Sequence, residues 1–286
     1  MKQKLFDKLN SAFFAPDSGM VLKVYRGVLC FYLLLFHNSP STSGYAEFGG
    51  LYQPVGIFKY LGPLENIDSL EWMTWVFRAS LLLAALGIFG SGSLLAALLT
   101  GAYVLAYNYN FGLVGHGTTL IYFCLCLLLL VPAQDKTRWA VQFLKCFIAG
   151  SYFIAGMQKL RFSGFDWAWS ENLAMIIFQN KTTPVGEFLL NLPVVVLRFV
   201  AVGVLTVELL SPLALVNKRT GKVFFWLWAA MHLGIQLALG NHKSFLSQIP
   251  CALVFQEDFL LFAGKRAHLA WGRLKELIHI QKLKVP

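Results

Sequence analysis

Long, almost uninterrupted apolar stretches are the feature that most restricts what this sequence can fold into. Several of them approach the roughly 20 residues that an α-helix needs to cross a bilayer. Their apolar residues are continuous and do not alternate with polar ones, so a membrane β-barrel is disfavoured. The predicted membrane helices lie at about residues 20–37, 72–89, 92–109, 116–132, 139–161, 194–216, 222–240 and 245–263.

The composition agrees with a protein that exposes little surface to water. Of the 286 residues, 57% are hydrophobic and only 13% are charged, whereas soluble domains average about 25% charged residues. We therefore predict an all-α integral membrane protein, with one domain over residues 1–286 and a bundle of about eight transmembrane helices. Fewer helices would result if the glycine-rich segment 87–92 were a kink. The five cysteines fall in or beside apolar segments, where apolar packing explains them without redox chemistry.

Basic residues are concentrated towards the two ends of the chain, which has a net charge of +10. Basic flanks beside apolar helices mark a cytoplasmic face near anionic lipid, so nucleic acid is not an expected partner. The charged residues of the connection 38–71 are mostly acidic, so this connection is expected on the outer side. These features predict a multi-pass protein of the cell (inner or plasma) membrane with both termini in the cytoplasm. The basic, amphipathic segment 265–284 is predicted to be an interfacial helix on the inner leaflet.

Lys159 lies near the outer end of its predicted helix, in a stretch that is otherwise largely apolar. Tyr152, Ala155 and Gly156 precede it by seven, four and three residues, so all four share one helix face. The small residues on that face let a neighbouring helix or a flat ligand approach closely. Two explanations of Lys159 stay open: either its ammonium snorkels to the headgroups, or its amine is buried and serves a reaction.

Histidines supply further candidates for a site. His116 is flanked by glycines at the start of a predicted helix and is expected on the same side as Lys159. It either caps that helix or belongs to a site. His232 and Gln236 lie four residues apart on one face of a later helix, and the alternative to a site is a buried histidine bonded to the structure. The sequence has no spacing typical of metal ligands, so no metal is predicted.

Glu208 is predicted near the middle of an apolar helix, where a carboxylate needs a cation, a proton or a hydrogen-bond donor. Arg78, in an earlier helix, is a candidate partner, and we expect Glu208 to be structural because it lies too deep for a reaction in the outer half. Topology assigns several polar residues to that outer half: His37, Arg78, His116, Lys159, His232, Gln236 and His242. The sequence thus predicts a polar pocket on the outer side of the bundle.

The segment YFIAGMQKL, residues 152–160, resembles the motif Y-F-I-A-G-x-K-K-L of vitamin K-dependent γ-glutamyl carboxylases. More broadly, the chain resembles the horizontally transferred transmembrane domain family, to which the membrane region of those carboxylases belongs. The resemblance extends over roughly residues 20–263. Other family features are matched by GHGTTLIYF (115–123), by Trp167 and Trp169, and by MHLGIQLALGNHKSFLSQIP (231–250).

The resemblance implies a reaction. Lys159 would be the catalytic base that deprotonates reduced vitamin K or a related (mena)quinol for reaction with oxygen, leading to epoxidation. The strong base formed in this way would take a proton from a peptide glutamate, whose carbanion adds carbon dioxide. His116 matches the histidine associated with that chemistry. Burial of Lys159 would favour the uncharged amine that a base requires. The residues then expected around the quinone are Tyr152, Gly156, Trp167, His232 and Gln236.

The sequence also departs from the carboxylase pattern. Gln158 stands where the motif has a second lysine, and the sequence ends at Pro286, whereas the carboxylases continue into a large extramembrane region that binds their protein substrate. A minimal member of the family would act on free quinol or on a small secreted peptide, or would require a separate substrate-binding protein as a partner. Two alternatives to an enzyme stay open: a maturation or export factor for a secreted peptide, and a transporter or receptor for a lipid-like molecule.

Overall fold

The structure, a computed structural model, is helical almost throughout the part of the chain that it describes. The described residues are 10, 19–36, 67–109, 116–131, 138–180, 183–240 and 246–282. Within them, 89% of the residues lie in helices and no strand occurs. The predicted all-α class is confirmed.

The helices succeed one another with short connections wherever consecutive elements are described. The α-helices are α1 (Met20–Phe36), α2 (Ile67–Leu86), α3 (Ser91–Tyr109), α4 (His116–Leu129), α5 (Arg138–Ser163), α6 (Asp166–Trp169), α7 (Asn172–Asn180), α8 (Pro184–Leu190), α9 (Val194–Leu209), α10 (Lys218–Leu239), α11 (Gln248–Ala252) and α12 (Glu257–Lys282). Two 3₁₀ segments, Ser211–Leu215 and Leu253–Phe255, follow α9 and α11.

Two of these helices, α5 and α10, are long and apolar enough to cross a membrane. Helices α8 and α9 would form a third span if they are one crossing with a bend of 113°. Among the described residues, these two or three spans indicate that the protein associates with a membrane. The larger number of spans stays a prediction.

The glycine-rich segment between α2 and α3 is a turn and not a kink in one helix. Gly87, Phe89 and Gly90 have φ angles of 73°, 57° and 55°, in the left-handed region that glycine adopts at little cost. These residues end α2 and reverse the chain, so that α2 and α3 pack against each other. The two predicted helices on either side of the segment are therefore separate.

Two predicted spans are broken by the structure. The predicted helix 194–216 ends at Leu209, because Pro212 lacks an N–H and disfavours helical geometry in the residue before it. The predicted helix 245–263 is divided into α11, a 3₁₀ segment and the start of α12. Glu257 and Asp258 lie in the first turn of α12, where carboxylates are favoured by the helix dipole. The interfacial helix predicted at 265–284 is thus part of a longer helix.

A buried core joins most of the bundle. Its largest fully buried side chains include Tyr25, Phe77 and Trp228. Polar contacts connect distant parts of this core. The hydroxyl of Tyr25 donates a hydrogen bond to the carbonyl of Cys251 at 2.7 Å, and the hydroxyl of Ser211 donates to the carbonyl of Ala149 at 2.8 Å. Of the five cysteines, which are free thiols, Cys30, Cys124 and Cys251 are buried in this core, whereas Cys126 and Cys146 are exposed.

A buried ionic cluster fastens the start of α12 to α5. The carboxylate of Glu257 accepts hydrogen bonds from Lys145 and, at 2.5 Å, from Nη1 of Arg138. Burial alone would raise the pKa of Glu257, but the two neighbouring cations hold it below its ordinary value. Next to it, the exposed Asp258 pairs with Lys222 of α10 at 2.7 Å. The two acidic residues at the start of α12 therefore link this helix to both helices that are long enough to span.

Candidate functional site

Lys159 and Glu208 form an ion pair between α5 and α9. The Lys159 ammonium donates a hydrogen bond to Oε1 of Glu208. The Glu208 side chain is 6% exposed and the Lys159 side chain is 24% exposed. Glu208 reaches the lysine because Pro212 ends α9 close behind it, which places the carboxylate in the last turn and not in the middle of a long helix. The candidate partner Arg78 was therefore the wrong choice, because the cation that meets Glu208 is Lys159. The depth of Glu208 in the membrane, and the structural role expected from that depth, stay predictions.

Gly156 allows the two helices to come this close. A Cβ atom built on Gly156 would lie 3.0 Å from Cβ of Glu208 and 3.2 Å from the backbone nitrogen of Leu209. Such distances are tighter than ordinary van der Waals contact, so any larger residue would push α9 away. Two roles were predicted for a small residue here: close approach of a neighbouring helix and contact with a flat ligand. The structure shows the first, because α9 packs closely against Gly156. A contact of Gly156 with a quinone stays a prediction.

Trp167 gives Lys159 a second partner inside the protein. The Lys159 ammonium lies 4.6 Å from the centroid of the Trp167 ring, within the range of a cation–π interaction. Trp167 belongs to the short helix α6, which follows Gly164 with a φ of 60°. The sharp turn at this glycine brings the tryptophan back towards Lys159. Because both a carboxylate and an aromatic face hold the ammonium, the contacts favour a role inside the bundle over snorkelling to the headgroups.

Tyr152 and His232 form a second polar pair, on the same side of α5 as Lys159. The Tyr152 hydroxyl and Nε2 of His232 are 2.7 Å apart, and which atom donates depends on the histidine tautomer. Tyr152 also stacks on Trp228, with the ring centroids 4.5 Å apart and an interplanar angle of 5°. Since Tyr152 and Lys159 are seven residues apart, the two pairs are separated by about 10 Å along the helix axis.

Gln236, another predicted site residue, does not line the cavity beside these two pairs. Gln236 donates from Nε2 to the carbonyl of Gly240 and so serves the end of α10. His116 begins α4, but its side chain lies outside the described part of the structure. His37 and His242 also fall outside the described residues. The roles expected for these residues in a site stay predictions.

A cavity of about 600 Å³ connects the two polar pairs. Helices α4, α5, α7, α9 and α10 contribute its walls, which are mostly apolar, and Trp167 also lines it. The polar or titratable lining residues in the described chain are Thr119, Ser151, Tyr152, Lys159, Glu208, His232 and Gln248. The cavity is thus an apolar chamber with a few polar groups. The side of the membrane that it faces stays a prediction.

Glu208 is the important site residue that sequence reasoning assigned to a different role. The sequence contained two signals for the position of Glu208. Ser211–Pro212 ends the helix that carries it, and Gly156 allows a neighbouring helix to pack closely. Neither signal identifies the partner by itself. As for metals, the described residues contain no group of three or more histidine, cysteine, aspartate and glutamate side chains that could hold an ion.

Comparisons of the chain with protein-family models, with curated proteins and with solved structures found no match. The resemblance to the carboxylases therefore rests on the motifs described above.

Proposed function

We propose that this chain is a membrane enzyme that takes a proton from the hydroxyl group of a reduced quinone and couples this step to oxygenation of the ring. The observation that carries the proposal is the Lys159–Glu208 ion pair in the wall of a largely apolar cavity. Ionisable groups inside a membrane protein are costly and are usually retained for a function. A pair that lines a cavity is available to a ligand.

The size and lining of the cavity support a ligand of this kind. Its volume of about 600 Å³ lies within the range of roughly 300–1,000 Å³ that is common for small-molecule sites. Apolar walls suit the body of a quinone, and the two polar pairs, separated along α5, suit oxygen atoms at opposite sides of a ring. We propose that Trp167 and Tyr152 contribute aromatic contacts to the same ligand.

The residues of the chain would have distinct tasks. Lys159 and Glu208 would receive the hydroxyl proton and stabilise the negative charge that its loss leaves behind. Trp167 would keep the ammonium in position. Tyr152 and His232 would orient the far side of the ligand through their shared hydrogen bond. His116, at the start of α4, is proposed as a further acid–base residue because it matches the family motif.

Reduced vitamin K or a related menaquinol, once bound, would supply the acidic hydroxyl and the electrons for oxygen. By resemblance, the proposal extends to carboxylation of a glutamate in a secreted peptide, with carbon dioxide as co-substrate and with a separate substrate-binding protein as a potential partner. We further propose a multi-pass arrangement in the cell (inner or plasma) membrane, with both termini cytoplasmic and the cavity towards the outer side. The basic ends of the sequence support this orientation.

The test uses the purified chain in lipid vesicles with reduced menaquinone, oxygen, a glutamate-containing peptide and labelled bicarbonate. Mass spectrometry should detect an oxygenated quinone. Lys159→Ala should lower its formation by roughly 10²–10⁴-fold, the usual effect of disrupting positioned acid–base groups, because the Lys159–Glu208 pair loses its cation. Lys222→Ala is the matched control because it removes a lysine from an exposed ion pair. Product levels equal to those of empty vesicles in the wild type would refute the enzyme. The label in the peptide decides carboxylation separately.

One observation favours a second candidate, a transporter or receptor for a lipid-like molecule. Helices α8 and α9 form a broken pair with a bend of 113°, and the end of α9 carries Glu208 in the cavity wall. Transporters commonly place substrate sites at interrupted membrane helices. For this candidate, the reconstituted protein would bind or move a quinone between compartments and leave it chemically unchanged.

A further inference from the structure

Glu208 has a second carboxylate oxygen that its ion pair does not use. Oε1 accepts the hydrogen bond from Lys159, whereas Oε2 is buried and has no hydrogen-bond partner among the described residues. The residue as a whole is 5% exposed and lines the cavity. Buried polar atoms in proteins nearly always have a partner. Because Glu208 lines the cavity, its unpartnered oxygen points to a ligand that donates a hydrogen bond.

We infer that Oε2 of Glu208, and not the amine of Lys159, accepts the proton of the bound ligand. The inference rests on the proposed function and assigns the proton-accepting atom within the same site. The ligand class is a flat, largely apolar ring with a weakly acidic hydroxyl group, such as a hydroquinone or a naphthol.

The contacts of Lys159 support this assignment. A carboxylate and the face of an aromatic ring both attract an ammonium, and Lys159 has both as partners. An ammonium has no lone pair, so it cannot accept a further proton. The carboxylate oxygen beside it has lone pairs available. The structure thus places an ammonium with two partners next to a buried carboxylate oxygen that has no hydrogen-bond partner among the described residues.

The proton transfer balances without any other reactant. The O–H bond of the ligand breaks, and a new O–H bond forms at Oε2 of Glu208. The electron pair of the broken bond stays on the ligand oxygen, which becomes an anion beside the Lys159 ammonium. The total charge of the pair and ligand is unchanged, and nothing is oxidised or reduced.

The other titratable side chains on the described cavity walls are Tyr152 and His232. They are already hydrogen-bonded to each other at the second polar pair. They lie about two helical turns along α5 from Lys159. In this arrangement they would contact a different part of the ligand. The experiment includes them as competing acceptors of the proton.

The test follows the proton directly with an alkyl-substituted 1-naphthol as the probe. Its ultraviolet absorption distinguishes the neutral hydroxyl from the anion, and infrared difference spectra distinguish a carboxylate from a protonated carboxyl group. Binding to the wild type in vesicles should produce the anion spectrum together with a new carboxyl band that shifts in heavy water. The O-methyl ether of the probe has no acidic proton, so it should bind and produce neither signal.

Two variants assign the signals. Lys159→Arg keeps a cation that cannot act as a base, so it should retain both the anion and the carboxyl band. Glu208→Gln should bind the probe but lose the carboxyl band, and should lower the rate of hydroxyl deprotonation by roughly 10²–10⁴-fold. If Glu208→Gln fails to fold, the wild type and Lys159→Arg still decide the matter.

Three results would overturn the inference. One is a carboxyl band that is present before the probe is added. Another is an anion spectrum without a new carboxyl band, which would place the proton on Lys159 or His232. The third is loss of the transfer in Lys159→Arg while the probe still binds. Failure of the proposed function has a different result, since reduced menaquinone would then give no oxygenated product even if the naphthol binds and transfers its proton to Glu208.

Discussion

Replacing Gly156 with alanine tests whether the close approach of α5 and α9 builds the site. The added Cβ would lie 3.0 Å from Cβ of Glu208, and 3.2 Å from both the backbone nitrogen and Cδ2 of Leu209. Backbone atoms cannot turn aside as a side chain can. We expect α9 to move away by a few tenths of an ångström and to lengthen the contact between Lys159 and Glu208.

The expected free energies follow from two opposing effects. Overpacking of this kind costs typically 1–3 kcal/mol, whereas replacing glycine with alanine within a helix gains about 1 kcal/mol. Gly150 provides a matched control in the same helix, because a Cβ built there has no heavy atom within 4 Å. Gly150→Ala should therefore gain about 1 kcal/mol in stability, and Gly156→Ala should be less stable than this control by roughly 1–3 kcal/mol.

The assay is equilibrium unfolding of both variants in detergent, followed by binding of the naphthol probe. Gly156→Ala should weaken probe binding, and Gly150→Ala should leave it unchanged. Equal unfolding free energies for the two variants would show that α5 and α9 are not in close contact at Gly156. Gly156 would then not explain how Glu208 comes close to Lys159.

Three other perturbations examine separate parts of the molecule. Glu257→Gln should cost about 3–5 kcal/mol because it leaves Lys145 and Arg138 uncompensated, whereas Asp258→Asn, in an exposed pair, should cost less than about 1 kcal/mol in the same unfolding assay. Because the pKa of Glu257 is lowered in the fold, its stabilisation is present above the ordinary carboxyl pKa and is lost as the pH falls; acid unfolding curves should show this loss in the wild type and not in Glu257→Gln. Tyr152→Phe removes the hydroxyl bonded to His232 and should weaken binding of the probe, while Tyr25→Phe, which loses a hydrogen bond outside the cavity, should leave binding intact. Single cysteines introduced at residues 3 and 281 should be inaccessible to an impermeant reagent outside intact cells, and labelling of either one contradicts the cytoplasmic termini.

The helices with uniform apolar composition were predictable from the sequence to within a few residues. The segment predicted at 92–109 is α3, from Ser91 to Tyr109, and that predicted at 222–240 lies mostly within α10, from Lys218 to Leu239. In such segments, length and composition are sufficient, because every backbone group is satisfied inside the helix itself. The start of α10 is also determined by residues close in the sequence, since Asn217 and Thr220 form a capping box there.

The breaks were less predictable because apolar composition continues through them. Pro212 and the acidic pair at Glu257 and Asp258 are local signals, but each occupies few residues within a long hydrophobic stretch. The structure uses these residues to end or begin helices. A prediction based on mean hydropathy passes over them, although proline at 212 and two adjacent carboxylates after Gln256 are stronger constraints than the apolar residues around them.

The pairing of Lys159 with Glu208 illustrates a different limit, because the two residues are 49 positions apart in the chain. The sequence made both side chains conspicuous, since a charge in an apolar segment requires a partner. It could not say which cation meets which carboxylate, and Arg78 was an equally reasonable choice. That decision depends on Gly156 letting α9 approach and on Pro212 ending α9 just after Glu208. A substitution at either position should therefore change the chemistry of the cavity while leaving every polar lining residue in place.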